Sequence, residues 1–310
     1  MANGILIVDK PAGWTSQDVA AKLRGVFHEK RVGHGGTLDP MATGVLPVFI
    51  GRATRAVPFF EHADKVYEAV LRLGLVTDTQ DTTGRTLEEH PVDITREDLE
   101  AVLPRFRGEI EQLPPMYSAI KVNGQKLYAL ARKGQEVDRA ARPVTIYELA
   151  LMVNQGTVLR LTGQSENRPL IEPGPCVGLR IHCSKGTYVR TLCHDIGQAL
   201  GCGGCMAALR RTRAGRYDIA QAHTLEEILS APDPEALLLP VDSLFSDRPA
   251  CTVNEAGERK LRNGASLRTA GLSDGEYRVY ARSGAFLLLG RVRQGELTTV
   301  RSFFDPAQPD

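Results

Sequence analysis

The stretch GHGGTLDPMATGVLPV, residues 33–48, decides how the chain is read. Gly33, Gly35 and Gly36 place three glycines within four residues. Such a segment can adopt dihedrals closed to other residues or approach a ligand closely. It then presents His34, Thr37 and Asp39, and the apolar run from Val45 to Ile50 follows. From the residues alone two readings of Asp39 stand. One is a tight connection in which it accepts backbone hydrogen bonds in an Asx-type turn. The other is a carboxylate presented for chemistry.

Upstream, residues 3–9 form an apolar run with β character. Thr15-x-x-Asp18 has the form of a helix capping box, and Val19, Leu23, Val26 and Phe27 follow at helical spacing. Downstream, residues 66–73 alternate, with Tyr67, Ala69, Leu71 and Leu73 on one face and Glu68 and Arg72 on the other, which predicts a half-buried strand. Thr77–Gly84 is polar and turn-rich. Thr95-x-x-Asp98 predicts a short helix with Leu99, Val102 and Leu103 inward. Strands are expected at 144–153 and 177–183, with a Pro/Gly-rich loop from Gly163 to Gly178 between them. Thr187 is expected to cap a helix with the stripe Val189, Leu192, Cys193, Ile196 and Leu200, stopped by Gly201. Thr224-Leu-Glu-Glu227 is another capping box. From Thr252 to Phe304, short β-like runs broken by glycines predict a small all-β appendage.

Residues 114–142 differ in character. Pro114-Pro115 opens the segment, Asn123-Gly124 marks a tight turn, and Lys121, Lys126, Arg132, Lys133, Arg139 and Arg142 make it basic. It reads as an exposed insertion between core elements.

The chain has 310 residues, enough for one large domain and a small one. Its 42% hydrophobic and 24% charged content is that of an ordinary globular protein. A net charge of +1 means that any nucleic-acid site must come from local clusters of Lys and Arg. The run Ile5–Val8 is too short for a secretion signal, and no stretch approaches the roughly 20 apolar residues of a membrane span, so a cytoplasmic location is expected. Six cysteines lie between Cys176 and Cys251. Cys202-Gly-Gly-Cys205, with Cys183 and Cys193 upstream, invites a zinc reading, but Cys193 fits the apolar face of a helix and buried reduced thiols are the plainer reading.

The segment 33–48 closely resembles the signature of the TruB-type pseudouridine synthases, which isomerise uridine 55 in the T loop of transfer RNA. The resemblance extends to GILIVDKPAGWTS (4–16), KVYEAVLRLGLVTDTQDTTG (65–84), PPMYSAIKVNGQKLYALARKG (114–134), CSKGTYVRTLCHDIG (183–197) and LRRTRAG (209–215). The last seventy residues match only loosely.

The resemblance implies an α+β fold: a pseudouridine-synthase catalytic domain over 1–240 with a central mixed, largely antiparallel sheet. Residues 114–142 would be a thumb-like RNA-binding insertion, and 241–310 a small β-rich PUA-like domain. It implies that Asp39 is the catalytic carboxylate, Arg190 its ionic partner, and Tyr67 a tyrosine that stacks on uracil and relays the C5 proton. Tyr188 and Leu209 would shape the base pocket and His34 would support the rearranged T loop. Lys10, counted with the substrate-binding set, would support the site loop. By themselves, Tyr67 and Leu209 also read as core, His34 as a solvated loop residue and Arg190 as an exposed helix arginine. However, a cation in the first turn of a helix is disfavoured by the macrodipole, which points to a specific anionic partner for Arg190.

Phosphate contacts are expected from Lys121, Lys126, Arg132 and Lys133, and from the run Arg210, Arg211, Arg213 and Arg216, where a solvated basic face is the competing reading. The implied partner is the T arm of tRNA, bound by a monomer that needs no cofactor. The rival readings are a sister synthase acting on another RNA and a non-catalytic RNA-binding protein on the same scaffold.

Overall fold

A computed structural model describes residues 2–118, 120–122, 124–131, 133–152 and 175–304. The first apolar run forms strand β1 (Gly4–Lys10). Thr15 then caps helix α1 (Ser16–Val26), with the capping box to Asp18 complete in both directions. β2 (Val32–His34) and β3 (Thr43–Ile50) bracket the glycine loop. β4 (Lys65–Leu73) carries Tyr67, and Thr95 caps α2 (Arg96–Val102) as its box predicts. β5 (Gly108–Gln112) and β6 (Arg142–Leu151) flank the insertion. β7 (Cys176–Cys183), α3 (Val189–Ala199) and β8 (Gly204–Ala214) complete the frame of the site.

One ten-stranded sheet runs His223–Thr224, β1, β3, β8, β4, β7, β6, β5, with β2 beside β3 and Tyr217–Asp218 beside β8. Among the described residues of this sheet, β3 with β8 and β1 with His223–Thr224 pair in parallel and the other pairings are antiparallel. The expected mixed, largely antiparallel sheet is therefore present. One face packs α1, α2 and α3 through Leu23, Leu99, Leu192 and Ile196 against Tyr67, Leu71, Ile181 and Leu209.

Several local expectations need correction. β4 is buried on both faces rather than one, because Val66 and Val70 are covered as well as Tyr67 and Leu71. Thr187 does not cap α3: its hydroxyl donates to Ser184 O at 3.0 Å, and Tyr188 holds the cap position without a side-chain bond. The appendage is not all β. Five strands from Ala250 to Ser302 form one sheet, but Asn254 caps a helix, Glu255–Arg262. The insertion contains a hairpin, Lys121–Val122 with Gln125–Lys126, turning at Gly124 (φ 80°), followed by the helix Leu127–Ala131. Most of the expected 163–178 loop, residues 163–174, lies outside the described residues.

The C-terminal sheet is docked on the large one. Phe286, Leu289 and Phe303 share an apolar cluster with Phe49, Phe60, Tyr217 and Phe245, and Arg55 Nη1 donates to Ser302 Oγ at 2.9 Å. All six cysteines are free, with Cys183, Cys193, Cys202 and Cys205 buried. Burial pushes the Cys183 thiol up to about 11 and Cys205 up to about 12. Among the described residues no helix is long and apolar enough to cross a membrane.

Gly44 fixes the entry of β3 beside β8. Its φ is 100°, and a Cβ there would stand 2.2 Å from Arg211 O. Gly44→Ala is therefore expected to lower the unfolding free energy by about 2 kcal/mol or more, read as a lower urea midpoint at unchanged slope.

Candidate active site

The glycine loop is held from both sides by groups distant in sequence. Leu38 N donates to Ser16 Oγ at 2.8 Å, and that hydroxyl donates back to Leu38 O at 3.2 Å. Gly13 N donates to Pro40 O at 2.8 Å. Lys10 is wholly buried, and its ammonium donates to Trp14 O (2.7 Å), Pro11 O (2.9 Å) and Pro40 O (3.3 Å). From the other side Arg211 Nε donates to Val45 O at 2.7 Å and Nη2 to Gly36 O at 3.0 Å. Gly36 sits at φ 90°. Gly35 leaves room for Phe60, whose ring carbon would be 2.4 Å from an added Cβ.

This clamp presents Asp39. Its backbone carbonyl accepts from Ala42 N at 3.1 Å, while its carboxylate takes an ion pair from Arg190 Nε at 2.9 Å. The side chain is thus paired with Arg190 rather than bonded within its own turn. Arg190, in the first turn of α3, is itself only 8% exposed. Its remaining donors go to Thr79 O (3.2 Å) and Tyr117 O (2.9 Å). Asp81 Oδ2 lies 3.7 Å from Nη1.

Asp81 is the site residue that reading the sequence missed. It is buried, and its Oδ1 accepts from Thr79 Oγ1, Thr83 N and Thr83 Oγ1 at 2.8, 2.9 and 2.5 Å. The signal was present in the turn-rich run Thr77–Gly84, in which Thr77 and Asp81 are buried and Thr79, Asp81 and Thr83 bond one another.

Burial is the main influence on Asp39 and pushes its carboxyl above the usual range; Asp81 adds to this, while Arg190 and Lys10 oppose it. Arg190 thus favours the charged form of Asp39, but burial outweighs it. Tyr67 and Tyr188 both feel the Asp39 charge, after the larger effect of burial, and both phenols are raised. Tyr67 lies opposite Arg211, and Leu209 opposite Ala69, across the β4–β8 pairing. His34 ends β2, its ring nitrogen Nδ1 is buried without a partner, and burial with the nearby Arg211 lowers its pKa. Asp39, Arg190, Tyr67, Tyr188 and Leu209 are thus gathered on the helix-covered side of the sheet.

The basic residues divide. Lys126 and Lys133 are exposed on the insertion, while the side chain of Lys121 and the whole of Arg132 lie outside the described residues. The run 210–216 is not a phosphate-facing strip. Arg211 is 1% exposed and serves the loop. Arg210 makes a two-pronged pair with Asp9, at 2.8 and 3.1 Å. Arg213 pairs with Asp64 at 3.1 Å and stays 39% exposed, and Arg216 bonds Ser243 O and Ser246 Oγ. Alternation along β8 turned part of a basic run inward. Lys10, likewise, is turned to the loop, with its ammonium donating to three backbone carbonyls.

A family model described as the N-terminal domain of the TruB family pseudouridylate synthases matches residues 24–189. Another, described as the tRNA pseudouridylate synthase B C-terminal domain, matches residues 190–246. The tRNA pseudouridine synthase B of Azoarcus sp. (strain BH72) is 43% identical over 303 residues, covering 97% of this chain and 95% of that one. That of Pseudomonas aeruginosa (strain UCBPP-PA14) is 44% identical over 297 residues, covering 94% and 92%. Among solved structures, an H/ACA RNP bound to a substrate RNA containing 2'-deoxyuridine aligns with a TM-score of 0.69 at 22% identity, over 99% of this chain and 86% of that one. A Cbf5-Nop10-Gar1 complex aligns at 0.68 and 24%, over 98% and 86%. At such identities the structural likeness concerns the fold alone.

Arg211→Met would take the guanidinium donor from one buried carbonyl oxygen, Val45 O, and one part-buried one, Gly36 O. It is expected to cost about 2–5 kcal/mol of stability, measured by chemical denaturation, with the loss arising before any RNA is added.

Proposed function

The chain belongs to the TruB family of pseudouridylate synthases, and from that premise we propose that it isomerises uridine to pseudouridine in tRNA, at position 55 of the T loop, with Asp39 as the attacking carboxylate. The observation that carries this reading is the Arg190–Asp39 ion pair of 2.9 Å, held at the tip of a loop whose backbone is bonded on both sides.

The reaction breaks the C1′–N1 bond, turns the uracil and rejoins it through C5. The C5 proton leaves and N1 gains one, so the product is an isomer. In this reading Asp39 engages ribose C1′ or uracil C6. A carboxylate acting at a sugar carbon follows the same chemistry as a retaining glycosidase. Arg190 orients the carboxylate and favours its charged form. Tyr67, buried beside it, offers a ring for the uracil and a phenol for the C5 proton, and Tyr188 and Leu209 bound the pocket.

The target base must leave its stack, at a cost of a few kcal/mol. The exposed cations Lys126 and Lys133 of the insertion, with half-exposed Arg213, supply phosphate contacts that offset this. His34, whose pKa burial lowers, supports the RNA loop in this reading as a hydrogen-bonding and stacking group.

The test is release of tritium from uracil C5 of a tRNA transcript. Wild type is expected to release it from one T-loop site, and Asp39→Asn is expected to bind the RNA and release none. Release by Asp39→Asn at the wild-type rate, or binding by wild type without release, would overturn the assignment.

The pH dependence follows from the direction of the Asp39 shift. Attack needs the ionised carboxylate, and burial raises its pKa above 3.8. Single-turnover rates should therefore fall as pH falls, with a midpoint above that ordinary value, measured on RNA that stays folded across the range. A midpoint at or below 3.8 would contradict the raised carboxyl.

A further inference from the structure

Gln112 closes β5, and its backbone is paired with Arg142 of β6. These two residues form the neck through which the chain enters and leaves the insertion. Gln112 is 1% exposed. Its side-chain amide is turned entirely onto one residue of another segment: Tyr188 N donates to Gln112 Oε1 at 3.0 Å, and Gln112 Nε2 donates to Tyr188 O at 3.3 Å. A side-chain amide here does what a neighbouring strand would do, pairing with both the backbone N–H and the backbone C=O of a single residue.

Tyr188 stands at the cap of α3 with an extended backbone (φ −99°, ψ 106°) and no side-chain cap. Two residues on is Arg190, the partner of Asp39. The turn before Tyr188 is stitched to the same neck: Ser184 N donates to Thr145 O at 2.8 Å, and Thr145 N to Ser184 Oγ at 2.9 Å. Segment 184–188 is therefore bonded at one end to β6 and at the other to β5. Within the insertion, Tyr117 O accepts from Arg190 Nη2.

We propose that Gln112 is a positioning residue for the isomerisation: by holding the peptide of Tyr188 it sets the direction of the first turn of α3, and so the placement of the Tyr188 ring and of the Arg190 guanidinium against Asp39, and ties both to the neck of the RNA-binding insertion. The proposal rests on the function given above. Gln112 touches neither substrate nor Asp39; it acts through Tyr188. Its position at the neck makes the geometry of the catalytic pair depend on where the insertion sits.

The test uses the full chain and a T-arm stem-loop carrying tritium at uracil C5, with enzyme in excess so that one turnover is read. Failure of wild type to release tritium overturns the functional reading itself, and is told apart because it precedes any variant. Gln112→Met keeps the length and removes both hydrogen bonds. It is expected to slow the single-turnover rate about 10- to 100-fold while RNA affinity stays within about threefold.

Gln112→Glu accepts from Tyr188 N at any pH but donates to Tyr188 O only when protonated. Its rate relative to wild type is therefore expected to rise as pH falls, a signature that a merely space-filling role would not give. A folded Gln112→Met with the wild-type rate, or a Gln112→Glu ratio that is flat with pH, overturns the proposal. Should circular dichroism show the Met variant unfolded, the pH profile of the Glu variant decides alone.

Discussion

The site depends on one buried cation, Arg211. Its guanidinium ties Gly36 O to Val45 O, bonding the glycine loop to the start of β3 from beneath. A guanidinium taken out of water must have its donors satisfied in good geometry. The acceptors here are backbone carbonyls, which cannot move without moving the loop. The same residue's backbone is what Gly44 must avoid. Loop shape, the entry of β3 and the β3–β8 pairing are thus one constraint, and the glycines are where the chain yields to it.

On that frame the electrostatics are finely set. Burial lowers Lys10 and Lys65 to about 8 each, so the cations around the loop are themselves strained toward neutrality. Asp39 is pulled down by Arg190 and Lys10 and pushed up by burial and Asp81, with burial prevailing. A carboxylate that is raised yet still paired is more basic than a solvent-exposed aspartate, and so a better nucleophile once charged. A stronger, dry salt bridge would hold Asp39 ionised but would also hold it back. Its side chain stays 39% exposed despite the pair, so one lobe of the carboxylate remains open.

Much of this was legible in the order of residues, for physical reasons. The three Thr-x-x-Asp and Thr-x-x-Glu boxes are local, and each caps its helix. The alternation of β4 placed Tyr67, and an arginine at an unfavourable helix end announced an anionic partner. What failed was non-local. Thr187 lost its capping role because the neck of the insertion takes over that turn through Thr145 and Gln112. The basic run 210–216 looked like one cationic surface, but pleating and the Arg211/Arg213 bulge distribute it among Asp9, the loop carbonyls and Asp64.

Asp81 and Gln112 were missed in the sequence for a common reason: each acts on another residue of the site's frame, Asp81 on the turn beside Arg190 and Gln112 on the backbone of Tyr188. Arg190 has five N–H donors in a rigid plane, and an ion pair through Nε leaves the terminal nitrogens to be fixed by something else. Thr79 O and Tyr117 O do that, and Asp81 organises the turn bearing Thr79. The plane of the guanidinium, and with it the face of Asp39 left free, is therefore decided by two segments that flank the pocket. Displacing the root of the insertion moves a carbonyl that the arginine already holds.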